Sequence, residues 1–466
     1  MGGPLFPCGR VSRRGFLHQA GGGFFGVAMG ALWAEAGEIQ DADLHGPHFP
    51  PRAKSVIFLF MCGGVSHIDT FDPKDNKWAG KLIDAVGFGD NNAAMRRPVI
   101  ACHRTFTRHG QSGIPVSDWF PHVGGVIDEV AVVRSMWCHE GNHFPAVIET
   151  CTGHRGRAFD HPTFGSWVSY ALGTANKNLP TFVNLGRASS PVQLTGGYLG
   201  AGAAATPFQP GETPIPNLKP PRGGTAAERD RQLQALQELN REFREHHAIE
   251  SDIAARAGAY ELAARMQLAA PKVVDLSGEP QHVKELYGIG EPATDDFGRQ
   301  LLLARRLSEQ GVRFVQVCHA GGGNGGWDAH GDIETHGPLC RATDKPIAGL
   351  IRDLKQRGLL DETLVVWSSE FGRSPWSQNT TGRDHNPRGY TAWMAGGGVK
   401  GGVVHGATDD VGYKAVEAPH YYSDLHATIL HQLGLDHAKM EIEVLGRTMR
   451  LVEKEEGKGP IRAILG

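Results

Sequence analysis

Acidic and imidazole side chains occur in closely spaced pairs at several points of this sequence. His67 and Asp69 are two residues apart, so an extended segment would direct both side chains to the same side. Asp328 and His330 repeat that spacing between glycines, which let a backbone approach a ligand closely. Carboxylates and imidazoles together ligate divalent transition metals. Each pair is a candidate part of a metal site, and the first pair equally fits a polar loop in which Asp72 begins a turn.

Further candidate ligands lie in the last third of the chain. Glu370 comes two serines after the apolar segment 364–367, and Asp384 is adjacent to His385. Adjacent side chains reach one ion only from an irregular loop, which the flanking Gly382 and Pro387 permit. Carboxylates mixed with imidazoles suit zinc, manganese or a related divalent ion, whereas calcium favours oxygen ligands alone. The sequence therefore predicts a divalent-metal cofactor, zinc or manganese.

Four residues are candidates for contact with a substrate. Asn142 and His143 could ligate metal or bind an anion. Arg155, together with Arg157, could hold two oxygens of a sulfate or phosphate, and Arg373 could bind an anion. The alternative for Asn142 and His143 is to cap the helix that is expected after Pro145.

The segments that precede these residues are apolar and alternate with helical patterns. Continuous apolar segments are typical of strands buried in a parallel sheet, and the alternation predicts an α/β fold with a mainly parallel sheet. Ligands of such sheets bind beyond the carboxyl ends of the strands, where the polar clusters fall. The predicted strands are 56–61, 130–133, 312–317 and 364–367, and two of the predicted helices are 297–310 and 347–355.

The N-terminal residues have the three parts of a targeting peptide. Ser12-Arg13-Arg14-Gly15-Phe16-Leu17 is a twin-arginine signature, an apolar segment follows from Ala20 to Trp33, and Ala34-Glu35-Ala36 offers a cleavage site. The alternative is a chance arginine pair before a buried helix. We predict a signal peptide over 1–36, a lead-in over 37–53 and a single domain over 54–466 with a helical insertion around 226–266. The mature protein is expected in the periplasm or outside the cell.

Composition narrows the possible partners. The 466-residue chain has a formal net charge of −3, which gives no reason to expect nucleic acid. No segment after the signal reaches the ~20 consecutive apolar residues of a membrane span. None of the seven cysteines forms a C-x-x-C pair, so a thiolate zinc site is unsupported. The expected partner is a small-molecule or glycan ester, and the oligomeric state stays open.

Several segments resemble the bacterial family catalogued as domain of unknown function 1501. That family is similar to the alkaline phosphatase and sulfatase superfamily, which implies a doubly wound α/β sheet with metal at the strand ends. The resembling segments include VIFLFMCGGVSHIDTFDPK, NHFPAVIETCTGHRGR, GGWDAHGD, LVVWSSEFGRSP and GRDHNPRGYTAWMAGGGVKGG.

The superfamily pattern carries over only in part. The position of the sulfatase nucleophile falls on His143, which is not Ser, Thr or Cys. The late Asp-His metal pair falls on Glu370 and Phe371, and Phe cannot ligate a metal, so His385 would have to supply the imidazole. These departures put covalent catalysis in doubt, but a water molecule activated by a metal could still attack an ester.

Two functional hypotheses follow. The first is an exported metal-dependent hydrolase of phosphate or sulfate esters, in which Asn142 and His143 line the reacting centre and Arg373 or Arg155 binds the non-bridging oxygens. The second is a non-catalytic protein that binds a sulfated glycan or an exported partner. The missing nucleophile favours the second, and the surviving acid and imidazole clusters favour the first. The expected metal shell is Asp328, His330, Glu370, Asp384 and His385, with Asp69 and His67 completing it or holding a second ion.

Overall fold

The computed structural model describes residues 46–86, 94–156, 160–208, 270–377, 380–444, 446–452 and 457–466, with single positions between 215 and 266. The predicted signal peptide over 1–36 and the start of the predicted lead-in lie outside these residues. So does most of the helical insertion expected around 226–266.

A central sheet organises the described part of the chain, where nine strands join it. Their order is β14-β6-β13-β10-β1-β9-β7-β8, and β17 also pairs with β6. All pairings are parallel except the two made by β13. These strands are β1 (Ser55–Met61), β6 (Val130–Trp137), β7 (Phe182–Leu185), β8 (Thr206–Phe208), β9 (Phe314–His319), β10 (Thr363–Ser368), β13 (Tyr390–Ala395), β14 (Val403–His405) and β17 (His420–Tyr421).

Both faces of the sheet are buried at its centre, which is why the central strands β1 and β10 are mostly apolar and wholly buried. Successive side chains of a strand point to opposite faces. Ile57 and Leu59 of β1 therefore pack into one core, while Phe58 and Phe60 pack into the other. Burying each such side chain stabilises the fold by about 1.5–3 kcal/mol.

Helices cover the two faces. The first core is closed by α1 (Pro121–Gly124), α4 (Gln281–Leu286), α5 (Asp295–Glu309) and α6 (His336–Gln356). The second is closed by α2 (His143–Thr152), α3 (Phe164–Leu172) and α7 (Tyr422–Gln432). This arrangement confirms the predicted α/β class with a doubly wound, mainly parallel sheet.

The four predicted strands are all present as β1, β6, β9 and β10, and the helix predicted over 297–310 is α5. The helix predicted over 347–355 is longer than expected and begins at His336, because the chain stays helical through Pro346. No helix among the described residues is long and apolar enough to cross a bilayer.

Short antiparallel pairs lie outside the central sheet. They are β2 (Leu82–Val86) with β3 (Ala94–Pro98), β4 (Phe106–His109) with β5 (Ile114–Ser117), β11 (Gly372–Arg373) with β12 (His385–Asn386), β15 (Ala407–Thr408) with β16 (Ala415–Glu417), and β18 (Glu441–Val444) with β19 (Arg447–Arg450).

Candidate metal centre

The carboxyl ends of β1, β6, β9 and β10 meet at one edge of the sheet, because these strands run in the same direction. The chain after each strand brings one part of the site. Gly63 follows β1, His143 follows β6, Asp328 follows β9 and Glu370 follows β10. The sheet thus assembles residues that are far apart in sequence.

His143 lies between two carboxylates. It is the first residue of α2, and its Nδ1 is 2.8 Å from Oε1 of Glu370. Glu370 is fully buried and also accepts hydrogen bonds from the backbone N–H of Gly63, at 2.9 and 3.1 Å to its two oxygens. The Nε2 atom of His143 is 3.2 Å from Oδ2 of Asp328. It is buried and has no hydrogen-bond partner among the described residues.

Asp328 is the centre of the cluster. Its Oδ1 lies 2.9 Å from Nη2 of Arg373, 3.1 Å from Nε2 of His330 and 3.3 Å from Nε2 of His385. Burial by itself would raise the pKa of the Asp328 carboxyl, but the imidazole contacts and the arginine charge hold it well below its ordinary value. Asp328 is therefore an anion in the folded protein.

Each of the three imidazoles has its Nδ1 atom against an acceptor. Nδ1 of His385 is 2.6 Å from the carbonyl oxygen of Gly141, and Nδ1 of His330 is 3.2 Å from Oδ1 of Asp384. Oε1 of Glu370 is the acceptor next to Nδ1 of His143. With Nδ1 donating to these acceptors, Nε2 of a neutral ring directs a lone pair toward Asp328, where it can ligate an ion held by that carboxylate. Carboxylates and carbonyls in this position orient metal-ligating histidines in many proteins.

The residues fit a divalent ion. Ligand atoms of His143, Asp328 and His385 all lie within 4.8 Å of one another. Their side chains are only 10%, 16% and 12% exposed. Burial lowers the pKa of His385 to about 4, so its ring is neutral and able to ligate at pH 7. Three protein ligands with an open position are typical of catalytic zinc sites.

His330 lies on the outer side of this cluster, with a side chain 44% exposed. Its Nε2 is 2.9 Å from Nε2 of His385. Hydrogen bonds to Asp328 and Asp384 raise its pKa to about 9, so it carries a positive charge at pH 7 without a metal. It is the ring of the cluster most accessible to a substrate.

Arg373 has no exposed surface. Its guanidinium donates to the carbonyl oxygens of Gly64 at 2.8 Å, Trp327 at 3.1 Å and Arg383 at 3.2 Å, as well as to Asp328. From the sequence it was expected to bind ester oxygens. The structure instead surrounds it with protein acceptors.

Asp69 and His67 were expected to ligate metal, but the structure places neither with the cluster. The segment after β1 turns instead of extending, because the backbone N–H groups of Thr70 and Phe71 both donate to the carbonyl oxygen of His67. Asp69 pairs with buried Arg383, at 2.7 Å from its Nε and 3.2 Å from its Nη2. Burial would raise the pKa of Asp69, and the Arg383 charge outweighs that effect and lowers it.

His67 is also occupied elsewhere. Its Nε2 is 2.8 Å from the carbonyl oxygen of Gly412, and burial lowers its pKa. The expectation that His67 and Asp69 point the same way assumed an extended backbone, which the turn removes.

Asn142 and Arg155 lie near the cluster in sequence but not in it. Asn142 is exposed and precedes α2, and its side chain does not cap the helix. Arg155 is half exposed, and its Nε is 3.5 Å from Oε1 of Glu140. Among the described residues, no hydrogen bond joins either side chain to Asp328, His143 or His385.

Comparison with known families decides where this chain belongs. The model of the family described as "Protein of unknown function (DUF1501)" matches residues 53–465, almost the whole described chain. The chain is a member of the DUF1501 family. This confirms the resemblance found in its sequence. No curated protein matches it.

Solved structures similar to this DUF1501 protein are distant ones. The PsFucS1 sulfatase from Pseudoalteromonas sp. is 11% identical, with 82% of this chain and 68% of that chain covered and a TM-score of 0.35. The alkaline phosphatase from the Antarctic bacterium TAB5 is 9% identical, with 83% and 99% covered and a TM-score of 0.34. The phosphonate monoester hydrolase from Silicibacter pomeroyi is 14% identical, with 68% of each chain covered and a TM-score of 0.30. At these identities and TM-scores none of the three carries an argument about activity, so the chemistry of the DUF1501 site has to be argued from its own residues.

Some contributors to the DUF1501 site were missed in the sequence. The N–H of Gly63 and the carbonyl oxygen of Gly141 are backbone groups, which side-chain motifs do not reveal. Arg383 was missed as the partner of Asp69, although it directly precedes Asp384 and His385. Its position between Gly382 and the pair Asp384-His385 was the feature of the sequence that could have indicated a role in the site.

Proposed function

We propose that this DUF1501 protein is a metal-dependent hydrolase of phosphate or sulfate esters. The observation that carries the proposal is the buried Nε2 atom of His143, which makes no hydrogen bond within the described part of the chain and lies 3.2 Å from Oδ2 of Asp328, beside His385. An unpaired buried acceptor is costly, and a cation at this point would satisfy it. We assign His143, Asp328 and His385 as the ligands.

Residues around these ligands hold them in place. Glu370 orients His143, the carbonyl oxygen of Gly141 orients His385, and Arg373 orients Asp328. Glu370 and Arg373 thereby take positioning roles in place of the ligand and anion-binding roles expected from the sequence. A divalent ion held here would polarise an ester oxygen and lower the pKa of a water molecule.

His330 is assigned to the substrate side of the site. Its exposed ring, held by Asp384, is placed to contact a non-bridging oxygen and to donate a proton to the leaving group. His143 stands where a sulfatase would have its nucleophile, so we propose direct attack by water rather than a covalent intermediate. The ester class rests on the resemblance of the sequence to the alkaline phosphatase and sulfatase superfamily.

We also propose export by the twin-arginine route, on the basis of Arg13, Arg14 and the apolar segment that follows them. Such an exported hydrolase would act in the periplasm or outside the cell.

The deciding experiment measures metal in the natively purified mature protein by inductively coupled plasma mass spectrometry. We expect about one transition-metal ion per chain, loss of the ion in Asp328→Asn, and affinity weakened roughly 10–100-fold in Glu370→Gln, which removes the carboxylate that orients the ligand His143. Asp332→Asn, an exposed carboxylate near Asp328, is the matched control and should bind normally. Nitrophenyl phosphate and nitrophenyl sulfate then test the reaction.

The competing function is a binding protein without catalysis, favoured by the missing nucleophile at His143. Absence of metal even after incubation with zinc or manganese would overturn the hydrolase proposal in its favour. Metal at full occupancy without turnover of any ester would also overturn the proposed hydrolase activity, but it would support the assignment of the metal ligands.

A further inference from the structure

A cleft lies at the same edge of the sheet as the metal centre. It has a volume of about 330 Å³ and is lined by two aromatic residues, Trp137 and Tyr421, and by three cationic residues, Arg388, Lys414 and Lys458. No described residue that lines it is acidic. Its volume is within the range of small-ligand pockets. In a chain whose formal net charge is −3, such a concentration of positive charge indicates a site for an anion.

The cleft is tied to the metal centre by the backbone. Arg388 follows the ligand His385 by three residues, so their Cα atoms are at most ~11 Å apart. Trp137 ends β6, and the next residue, Cys138, donates its N–H to the carbonyl oxygen of Pro387 at 2.8 Å. The two sites therefore share one loop and one edge of the sheet.

Hydrogen bonds to backbone carbonyl oxygens place the cationic residues at the rim of the cleft. The N–H of Ala415 donates to the carbonyl oxygen of Arg388 at 2.9 Å, which keeps Lys414 next to Arg388. The Nζ atom of Lys458 is 3.2 Å from the carbonyl oxygen of Pro419. All three cationic residues are exposed and can turn toward a ligand.

The aromatic residues define the rest of the ligand. Trp137 is half-buried and packs against Tyr421 with ring centroids 4.9 Å apart, so it presents a rigid apolar surface beside the charges. An apolar face next to several cations suits a sugar ring that carries sulfate or carboxylate groups. We propose that this cleft binds an anionic oligosaccharide and holds it while a neighbouring ester reaches the metal centre. The inference rests on the proposed hydrolase function and names its substrate class.

The test separates binding from catalysis. Binding of a fully sulfated heparin tetrasaccharide is measured by isothermal titration calorimetry in the Asp328→Asn background, where turnover is absent. Lys414→Ala with Lys458→Ala should weaken binding about tenfold, because two charge-assisted contacts are lost. The matched control, Lys400→Ala with Lys439→Ala, removes two exposed lysines outside the cleft and should bind within about twofold of the parent.

Kinetics give a second readout in the otherwise unaltered enzyme. The cleft variant should raise KM for a sulfated oligosaccharide and leave kcat and KM for nitrophenyl sulfate unchanged. Equal affinity of parent and cleft variant for the tetrasaccharide would overturn the inference. So would equal binding of neutral maltotetraose, or tighter binding of a single-stranded oligonucleotide. If the protein hydrolyses no ester but still binds the tetrasaccharide through Lys414 and Lys458, the proposed function fails and the cleft assignment stands.

Discussion

At the residue scale, the role of each carboxylate near the site depends on its hydrogen-bond and ion-pair partners. Asp328 is surrounded by Arg373 and by three rings whose Nδ1 atoms are held by acceptors. Asp69 lies close by in the fold but has a cation of its own, Arg383. The two carboxylates have different partners, and we therefore assign them different roles, Asp328 as a proposed metal ligand and Asp69 as half of a buried ion pair.

The role of Asp69 can be tested by Asp69→Asn. The substitution leaves the Arg383 charge buried without its partner, so the free energy of unfolding should fall by about 3–5 kcal/mol in urea denaturation. Metal content at low temperature should stay unchanged, since Asp69 is not among the proposed ligands. A variant that loses its metal while keeping its stability would show that Asp69 is a ligand after all. Adding Arg383→Met should recover part of the lost stability.

At the element scale, tight turns after the strands bring the loops together. Gly63 follows β1 and has a φ of +117°, which residues that carry a side chain rarely adopt. Its backbone N–H donates to Glu370. A Cβ atom at this position would lie 2.7 Å from the backbone N of Asp328 and 2.8 Å from that of Trp327. The turn after β1 thus sets how closely the loop after β9 approaches the site.

Gly63→Ala should therefore displace the loop that carries Asp328. We expect metal affinity to fall roughly 10–100-fold, as when an outer contact of a metal ligand is removed. Gly80→Ala is the matched control, because Gly80 also has positive φ, at +76°, but a Cβ there meets nothing within 4 Å. Competition with a fluorescent zinc chelator measures both. Equal affinity losses in the two variants would point to general backbone strain rather than to the Asp328 loop.

At the scale of the whole molecule, buried neutral histidines link stability to pH. Burial lowers the pKa of His161, His336 and His426 to about 3 and that of His319 to about 4. The unfolded chain binds protons at these rings near pH 6.5, whereas the folded protein does not until pH 4 or below. The contribution of these neutral rings to the free energy of unfolding is thus present above pH 6.5 and is lost as the pH falls toward 4.

His426→Gln isolates one of these rings far from the metal centre in sequence. His426 is in α7 and stacks on Phe164 at 4.4 Å between ring centroids. The wild-type protein should lose free energy of unfolding between pH 7.5 and pH 5.5, and the variant should lose roughly 1 kcal/mol less, since about one fewer proton is taken up on unfolding. Denaturant titrations at the two pH values measure the difference. Identical pH dependence in both proteins would mean that His426 titrates in the folded protein as it does in the unfolded chain.

The amino-acid sequence by itself determined the strands, the parallel sheet and the ends at which chemistry could occur. Continuous apolar segments such as 56–61 are local patterns, and burial on both faces requires them. It also identified the residue types of the site, since Asp328, His330 and His385 were all among the expected metal ligands.

Only the tertiary structure decided which of those residues meet. His143, Asp328 and His385 are far apart in the chain, and their distances depend on how three loops pack at one edge of the sheet. The tertiary structure also paired Asp69 with Arg383 and placed Nε2 of His143 next to Asp328. These contacts depend on turns and backbone groups that residue spacing does not encode. Local patterns determine elements, whereas a site of non-local ligands is determined by packing.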